Sequence, residues 1–405
     1  MSNRPHIAIL GGGPTGLEAA LAAAEAGYPF TLYEAAPTVA GHVQGWGHVR
    51  LFTPWSLDVS PRMRKALGAA RVSVPDDDTC PTGTELARQL FEPLAELPQL
   101  RDHLALGTRV RRIGRDGLLK HEEIGSAERG RRPFRLLVES GEGERIDTAD
   151  LVLDCTGNSL PNTVGDAGIP APGEKAVGDR IEHSVPDLST DAERWAGRRT
   201  LLVGAGHSAQ TALRDLVALA DEHPGTEIVW ALRGGRPEAP ADDDPLPQRH
   251  ALTAHAALLA QDPPAALEVL TGVAVDALRP NGDGVDATLR STGRNGASSD
   301  DRTVTVDRIL ALTGQVGDHQ LYRQLQVHEC YATSGPMKLA AALLGSSGGG
   351  GDCLAQTSLG ADTLKNPEPG FYILGSKSYG RRNDFLMRVG WEQVGEVFGL
   401  IEDGD

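Results

Sequence analysis

Residues 7–34, IAILGGGPTGLEAALAAAEAGYPFTLYE, constrain the fold of this chain more than any other stretch. Ile7–Leu10 is a short, wholly apolar run, as a parallel strand buried on both faces requires. Gly11, Gly13 and Gly16 follow in G-x-G-x-x-G spacing, with Pro14 and Thr15 between the last two. Leu17–Ala26, rich in Ala, Leu and Glu, predicts a helix, and Phe30–Tyr33 predicts a second strand closed by Glu34. A lone glycine triplet says little. Strand, glycines, helix, strand and terminal acid in that order predict the opening of a parallel α/β sheet with room for a pyrophosphate at its turn. Gly11 permits the turn, Gly13 lets backbone approach a phosphate, and Gly16 lets the helix close on the strand. Free N–H groups at the helix start favour the anion, and Glu34 stands where a carboxylate accepts from a ribose hydroxyl. The same carboxylate would repel a ribose 2′-phosphate.

Residues 198–233 repeat the pattern. Thr200–Val203 predicts a strand, and Gly204, Gly206 and Ala209 give the G-x-G-x-x-A form, with His207 and Ser208 inside it. A helix over about Ser208–Ala220 leads to a strand at Ile228–Leu232. Here the terminal acid is missing. Arg233 takes its place, with Arg236 three residues on, and a guanidinium suits a 2′-phosphate, so NADPH is expected over NADH. The alternative is an ordinary surface arginine.

Two more short apolar runs, Leu151–Gly157 (LVLDCTG) and Ile309–Gly314 (ILALTG), each end in Thr-Gly, with Asp150 and Asp307 near their starts. The expected fold is therefore α/β: two Rossmann-like nucleotide-binding domains, the second inserted into a discontinuous first. The first would hold residues 1–185 and 318–405, the second 186–317. Towards the end of the chain, Phe371–Leu374 predicts a strand, Gly375–Asp384 (GSKSYGRRND) a polar loop, and Phe385–Ile401 a helix. Gly345–Gly351 (GSSGGGG) reads as a flexible loop, and segments 122–132 and 292–302 as hairpin turns or surface loops.

Composition narrows the function. A length of 405 residues suffices for two cores, and a net charge of −16 argues against nucleic acid, leaving a small-molecule substrate as the expected partner. The acidic runs Asp76–Asp78 and Asp242–Asp244 read as solvated surface. Cys80, Cys155, Cys330 and Cys353 form no Cys-x-x-Cys pair, and His42 and His48 lack acidic or Cys companions, so no metal is expected. With no signal-like N-terminus and no long uncharged apolar run, a cytoplasmic protein without membrane attachment is expected.

Taken together, GGGPTG, LDCTG, VGAGHSA, WALR and ALTG resemble the flavoproteins with two dinucleotide-binding domains. That superfamily includes flavin-containing monooxygenases, Baeyer–Villiger enzymes, N-hydroxylases and thioredoxin-reductase-like enzymes. The resemblance implies FAD at the first glycine motif and at Gly157, Gly375 and Ser376, and NADPH at the second motif with Gly314 at the domain crossing. Family members usually carry an Asp at the position of Ser376. A dithiol reductase would need a Cys-x-x-Cys pair, and the bacillithiol-disulfide-reductase-like branch carries a Cys where Thr15 stands. His183-Ser184 resembles, imperfectly, the His-Ser linker of flavin-containing monooxygenases; His183 serves equally well as a loop histidine. The segment Ala40–Trp55 would run towards the flavin, making Trp46, His48 and Arg50 candidate active-site residues, or else core and surface groups. No other catalytic residue is indicated, because the flavin carries the chemistry.

The implied function is an NADPH-using flavin monooxygenase that inserts oxygen at an N, S or carbonyl centre of a small metabolite through a peroxyflavin. The alternative is a reductase passing electrons to a protein, quinone or small disulfide without a redox Cys pair. A flavin-bound sensor without turnover is a third class. Oligomeric state stays open, homodimers being common among family members.

Overall fold

The computed structural model describes residues 4–240, 243–293, 301–346 and 356–404. Strands β1 (Ile7–Leu10), β2 (Phe30–Tyr33) and β3 (Leu104–Ala105) open the chain. After them come β4 (Arg109–Arg115), β5 (Phe134–Ser140), β6 (Gly143–Ala149) and β7 (Leu151–Asp154). The chain then passes through β8 (Leu160–Pro161) to β9 (Ile181–Glu182), β10 (Arg199–Val203), β11 (Glu227–Leu232) and β12 (Leu267–Thr271). Next are β13 (Val273–Asn281), β14 (Gly284–Ser291), β15 (Arg302–Val306) and β16 (Arg308–Ala311). It returns through β17 (Gln315–Val316) and ends with β18 (Phe371–Ile373) before a last helix, Met387–Asp403.

Two compact units result, one of residues up to Leu160 and from Val316 onward, the other Pro161–Gln315. The first holds a five-stranded sheet in the order β18-β7-β1-β2-β3, parallel throughout. The second holds another parallel sheet in the order β12-β11-β10-β16-β9. Read from opposite ends the two orders correspond strand for strand, and each unit adds a three-stranded antiparallel sheet, β4-β5-β6 or β13-β14-β15. Both are Rossmann-like α/β folds. Even the entry to the sheet is repeated: Asp150 accepts from the His6 N–H at 2.8 Å, and Asp307 accepts from the Arg199 N–H at 2.7 Å.

Helix Pro14–Ala26 starts on Gly13 with proline in its first turn, and ends on Gly27 in the left-handed conformation, a stop that glycine tolerates best. Its apolar residues Leu17, Leu21 and Ala20 enter the first core with Ile7, Ile9, Leu32 and Leu153. The second core is built from Leu201, Val229, Ile309 and the inner faces of β13–β15.

Several elements depart from the sequence expectations. Residues 161–185, expected in the first domain, belong to the second unit because Val164, Ala171 and Val177 are buried in its core and β9 extends its sheet. Segment 122–132 is not only surface loop: Arg129, on a short helix there, is fully buried against Glu368, which also pairs with buried Arg115. Asp76–Asp78 are exposed, whereas Asp244 is paired with Arg249 at 2.6 Å. Asp242, Cys353, residues 294–300 of segment 292–302 and most of Gly345–Gly351 lie outside the described residues.

Candidate functional site

At the first glycine turn, Gly11 has φ +97°, and a Cβ there would lie 2.7 Å from the Cys155 carbonyl oxygen. At Gly16 a Cβ would lie 1.8 Å from the Gly11 carbonyl oxygen, so the helix closes on the turn only because no side chain intervenes. Gly13 differs: a Cβ there would meet nothing within 4 Å among the described residues. Among the described residues no side chain caps the helix that begins beside it. Uncapped N–H groups next to open space form a cradle for an anion. The Glu34 carboxylate, half-buried, accepts from the Gly12 N–H at 2.6 Å and the Ala36 N–H at 2.8 Å, which fixes it at the rim of this cradle.

Loops from the C-terminal ends of β7 and β18 meet the cradle. Thr15, nearly buried, lies so close to Gly375 and Gly390 that a Cβ on either would come within 2.8 Å of its hydroxyl. Gly157 abuts the Ser376 side chain, and Asn158 donates to the Ser376 and Gly380 carbonyls. The first half of the polar run after β18 is turned inward. Gly375, Lys377, Ser378 and Tyr379 are all buried, and Gln393 of the last helix pins them through the Gly375 N–H and the Ser378 hydroxyl.

Lys377 is the residue that sequence reasoning missed. Its ammonium is fully buried, pairs with Asp154 at 2.6 Å, and donates to the Thr156 hydroxyl and the Asp318 carbonyl at 3.1 and 2.9 Å. The Tyr322 ring covers it at 5.0 Å, and Gly317 leaves it space. A charged Lys-Asp pair at the ends of two adjacent strands could have been suspected only from the polar Asp154 in an otherwise apolar run.

The segment after β2 begins on the cradle, where the Ala40 N–H donates to the Gly12 carbonyl at 2.8 Å. Further along, Trp46 lies on Gly83 and Arg50 reaches the Cys80 carbonyl and Glu85. Arg50 is thus engaged by residues 80–85, its side chain 55% exposed. The His48 Nε2 is buried without a partner among the described residues. Nearby in sequence, Asp58 is buried with its Oδ1 on the Thr53 hydroxyl at 2.6 Å and its Oδ2 unpartnered among the described residues. Burial pushes its carboxyl up to about 7, against a smaller opposing effect of the Thr53 hydrogen bond. Cys155, packed on the glycine turn, is buried, and its thiol is held well above the ordinary range by desolvation and then by Asp154.

The second unit carries its own cradle. Gly204 has φ +136°, and a Cβ there would lie 2.3 Å from the Leu312 carbonyl oxygen, as Gly11 relates to Cys155. Ala209 is fully buried in the place of Gly16. Among the described residues, helix His207–Glu222 begins without a side-chain cap beside Gly206, where a Cβ would again meet nothing within 4 Å. Trp230, buried on β11, donates to the Gly204 carbonyl at 2.8 Å and secures the turn. His207 is half-buried and its imidazole is held below its ordinary value by burial, then by the Arg249 charge, with Asp244 opposing; Ser208 is exposed. Gly314 follows Thr313, whose hydroxyl and carbonyl engage Asn162. His183 lies just past edge strand β9, its Nδ1 buried and unpartnered among the described residues, and Ser184 donates to Glu182. Arg233 extends beyond β11 with its side chain 61% exposed, 3.8 Å from Asp166.

No family model matches the chain, and no curated protein matches it in sequence. Solved structures do match, over nearly its whole length. A bacillithiol disulfide reductase from Bacillus cereus has a TM-score of 0.69 at 15% identity, covering 99% of this chain and 100% of its own. An ornithine N-hydroxylase from Kutzneria sp. 744, solved with reduced FAD, NADP+ and L-ornithine, gives 0.64 at 16% identity, with 99% of each chain covered. A cadaverine monooxygenase from Erwinia amylovora, solved with FAD, gives 0.65 at 13% identity, covering 98% of this chain and 94% of its own. The chain thus has the fold of flavoproteins with two dinucleotide-binding domains. Among its described residues no helix is long and apolar enough to cross a membrane.

Proposed function

We propose that this chain is an FAD-dependent oxidoreductase supplied by NADPH, and that it is a monooxygenase acting on an N, S or carbonyl centre of a small metabolite. The carrying observation is the pair of uncapped glycine cradles whose neighbouring strands are followed by opposite charges, Glu34 after β2 and Arg233 after β11. Glu34 fits an unphosphorylated ribose and Arg233 a 2′-phosphorylated one. The residues present fit FAD in the first unit. Backbone N–H groups of Gly13–Gly16 would take the pyrophosphate and Glu34 the adenosine ribose. The loops at Gly157 and Ser376 and the start of helix Met387–Asp403 would receive the remainder. In the second unit Gly204–Ala209 and Arg233 would hold NADPH. A bound flavin supplies hydride acceptance and, once reduced, reaction with oxygen.

The chain's own groups have positional tasks. The Lys377–Asp154 pair ties the loop after β18 to that after β7, and Gln393 holds the loop after β18 to the last helix. Thr15 stands where the bacillithiol-disulfide-reductase-like branch carries a Cys, and the thiol of Cys155, beside Gly16, is held well above its ordinary value by desolvation and then by Asp154. That is why oxygen rather than a disulfide is the favoured acceptor.

One observation favours a reductase as second reading. The Cys330 thiol is held below its ordinary value by the Thr333 hydroxyl and by the N–H groups of Thr333 and Ala332, and this loop packs on Gly380. The test is to reduce the flavin-loaded protein with NADPH without oxygen, then mix it with oxygenated buffer and record its spectrum. A long-lived blue-shifted spectrum before the oxidised one returns supports the monooxygenase. Immediate return of the oxidised spectrum, together with disulfide reduction that Cys330→Ser abolishes, supports the reductase and overturns the first reading.

A further inference from the structure

The acid absent from the end of β11 is supplied by another part of the second unit. In the first unit Glu34 directly follows β2 and fills the rim of the cradle. In the second, Arg233 directly follows β11, and the carboxylate beside it comes from Asp166, more than sixty positions earlier in the chain. Asp166 is firmly presented. Its neighbour Ala167 has φ +58°, Gly165 bridges to Val275, and a Cβ on Gly165 would strike the Ile169 carbonyl oxygen at 2.3 Å. Arg290, from the middle strand of β13-β14-β15, grips Asp166 at 2.5 Å and is itself held by Asp276 at 3.2 Å. The side chain of Asp166 is only 22% exposed, against 61% for Arg233. The carboxylate is therefore the anchored partner and Arg233 the one free to turn. The charges at this corner are Arg233 and Arg290 against Asp166 and Asp276.

We propose that Asp166 sets the nucleotide preference of the second site, its carboxylate competing with a ribose 2′-phosphate for Arg233 while Arg290 holds it in place. This rests on the reading of Gly204–Ala209 as a dinucleotide cradle. A nucleotide with a 2′-hydroxyl leaves the Arg233–Asp166 pair intact. A 2′-phosphate draws Arg233 away and meets the charge of Asp166, so the discrimination is smaller than Arg233 alone would provide. Asp166 and Arg290 are positioning residues here, acting through Arg233.

The test measures dissociation constants for NADP+ and NAD+ by calorimetry on the wild-type protein, Asp166→Asn and Arg290→Ala, with thermal melts to verify folding. Asp166→Asn should tighten NADP+ by about five-fold or more while changing NAD+ less than about two-fold. Arg290→Ala, which leaves Asp166 to Arg233 alone, should weaken NADP+ several-fold and spare NAD+. A NADP+/NAD+ ratio unchanged or lowered in Asp166→Asn overturns the proposal with the cradle reading intact. A folded wild-type protein that binds neither nucleotide overturns the cradle reading itself, and the proposal with it. Arg290→Ala keeps the proposal exposed to refutation should Asp166→Asn fail to fold.

Discussion

The two units are built to one plan, and they differ at the C-terminal ends of their strands. In each, a glycine turn after the central strand presses on the backbone that follows its neighbour, Gly11 on Cys155 and Gly204 on Leu312. The registers match as well: Leu10 faces Asp154 in one sheet, and Val203 faces Ala311 in the other. There the likeness stops. The first unit puts a buried charge, Asp154 with Lys377, where the second has an alanine. It needs Gly16 where the second accepts Ala209, and it ends its second strand on Glu34 where the other ends on Arg233. Apolar strands repeat because they only have to pack, whereas strand ends diverge because they meet ligands and loops.

The sharpest way to break the comparison is to exchange the helix-contact residues. Gly16→Ala puts a Cβ 1.8 Å from the Gly11 carbonyl oxygen, which is backbone and cannot swing aside. We expect loss of flavin absorbance from the purified protein and destabilisation of roughly 3 kcal/mol or more. Ala209→Gly removes a buried methyl and should cost only about 1 kcal/mol. Equal effects in thermal melts would mean that the two turns are closed in the same way.

The second expectation concerns the buried pair found in the first unit. Lys377→Met leaves Asp154 buried and without its ammonium partner, which should cost about 3–5 kcal/mol in chemical denaturation. Restoring neutrality with Asp154→Asn in the same chain should recover part of that loss. No recovery would mean that packing of the Lys377 stem, and not its charge, carries the effect.

Much of the frame was legible in the sequence, and the reasons are physical. Ile7–Leu10 and Phe30–Tyr33 are strands with the expected bounds, since short apolar runs beside a glycine turn leave few alternatives. Asp150 and Asp307 stood out before each Thr-Gly strand, and both clasp a backbone N–H. The run GSKSYGRRND is polar in composition, which gave no sign that Lys377 and Ser378 within it find buried partners from distant residues. Asp166 and Arg290 were invisible for the same reason. Arg233 and Arg290 both pair with Asp166, and the three residues come from segments far apart in sequence.

Asp58 offers a third, pH-dependent contrast, for its carboxyl is pushed up to about 7 by burial in the first unit. A folded value above the unfolded one means that its stabilising share is fully present below about pH 4 and is lost as pH rises through 7. Across that window the wild-type protein should lose about 4 kcal/mol relative to Asp58→Asn. Denaturation midpoints of the two proteins between pH 4 and 8 check this. Parallel curves would show that Asp58 is charged throughout the range.

The smallest effect expected is also the one that bears most directly on why the two strand ends differ. Arg233 is largely exposed, so its removal should leave stability within about 0.5 kcal/mol of wild type. Its contribution to a 2′-phosphate is that of one charge-assisted contact, about 1–2 kcal/mol, or roughly ten-fold. Arg233→Ala should therefore lower kcat/KM for NADPH about ten-fold and leave NADH nearly unchanged. Equal losses with both cofactors would remove Arg233 from this role and make the contrast with Glu34 one of surface charge alone. A loss confined to NADPH would tie the contrast to the nucleotide. One unit would then end its strand on an acid for a ribose hydroxyl, and the other on a base for the phosphate that replaces it.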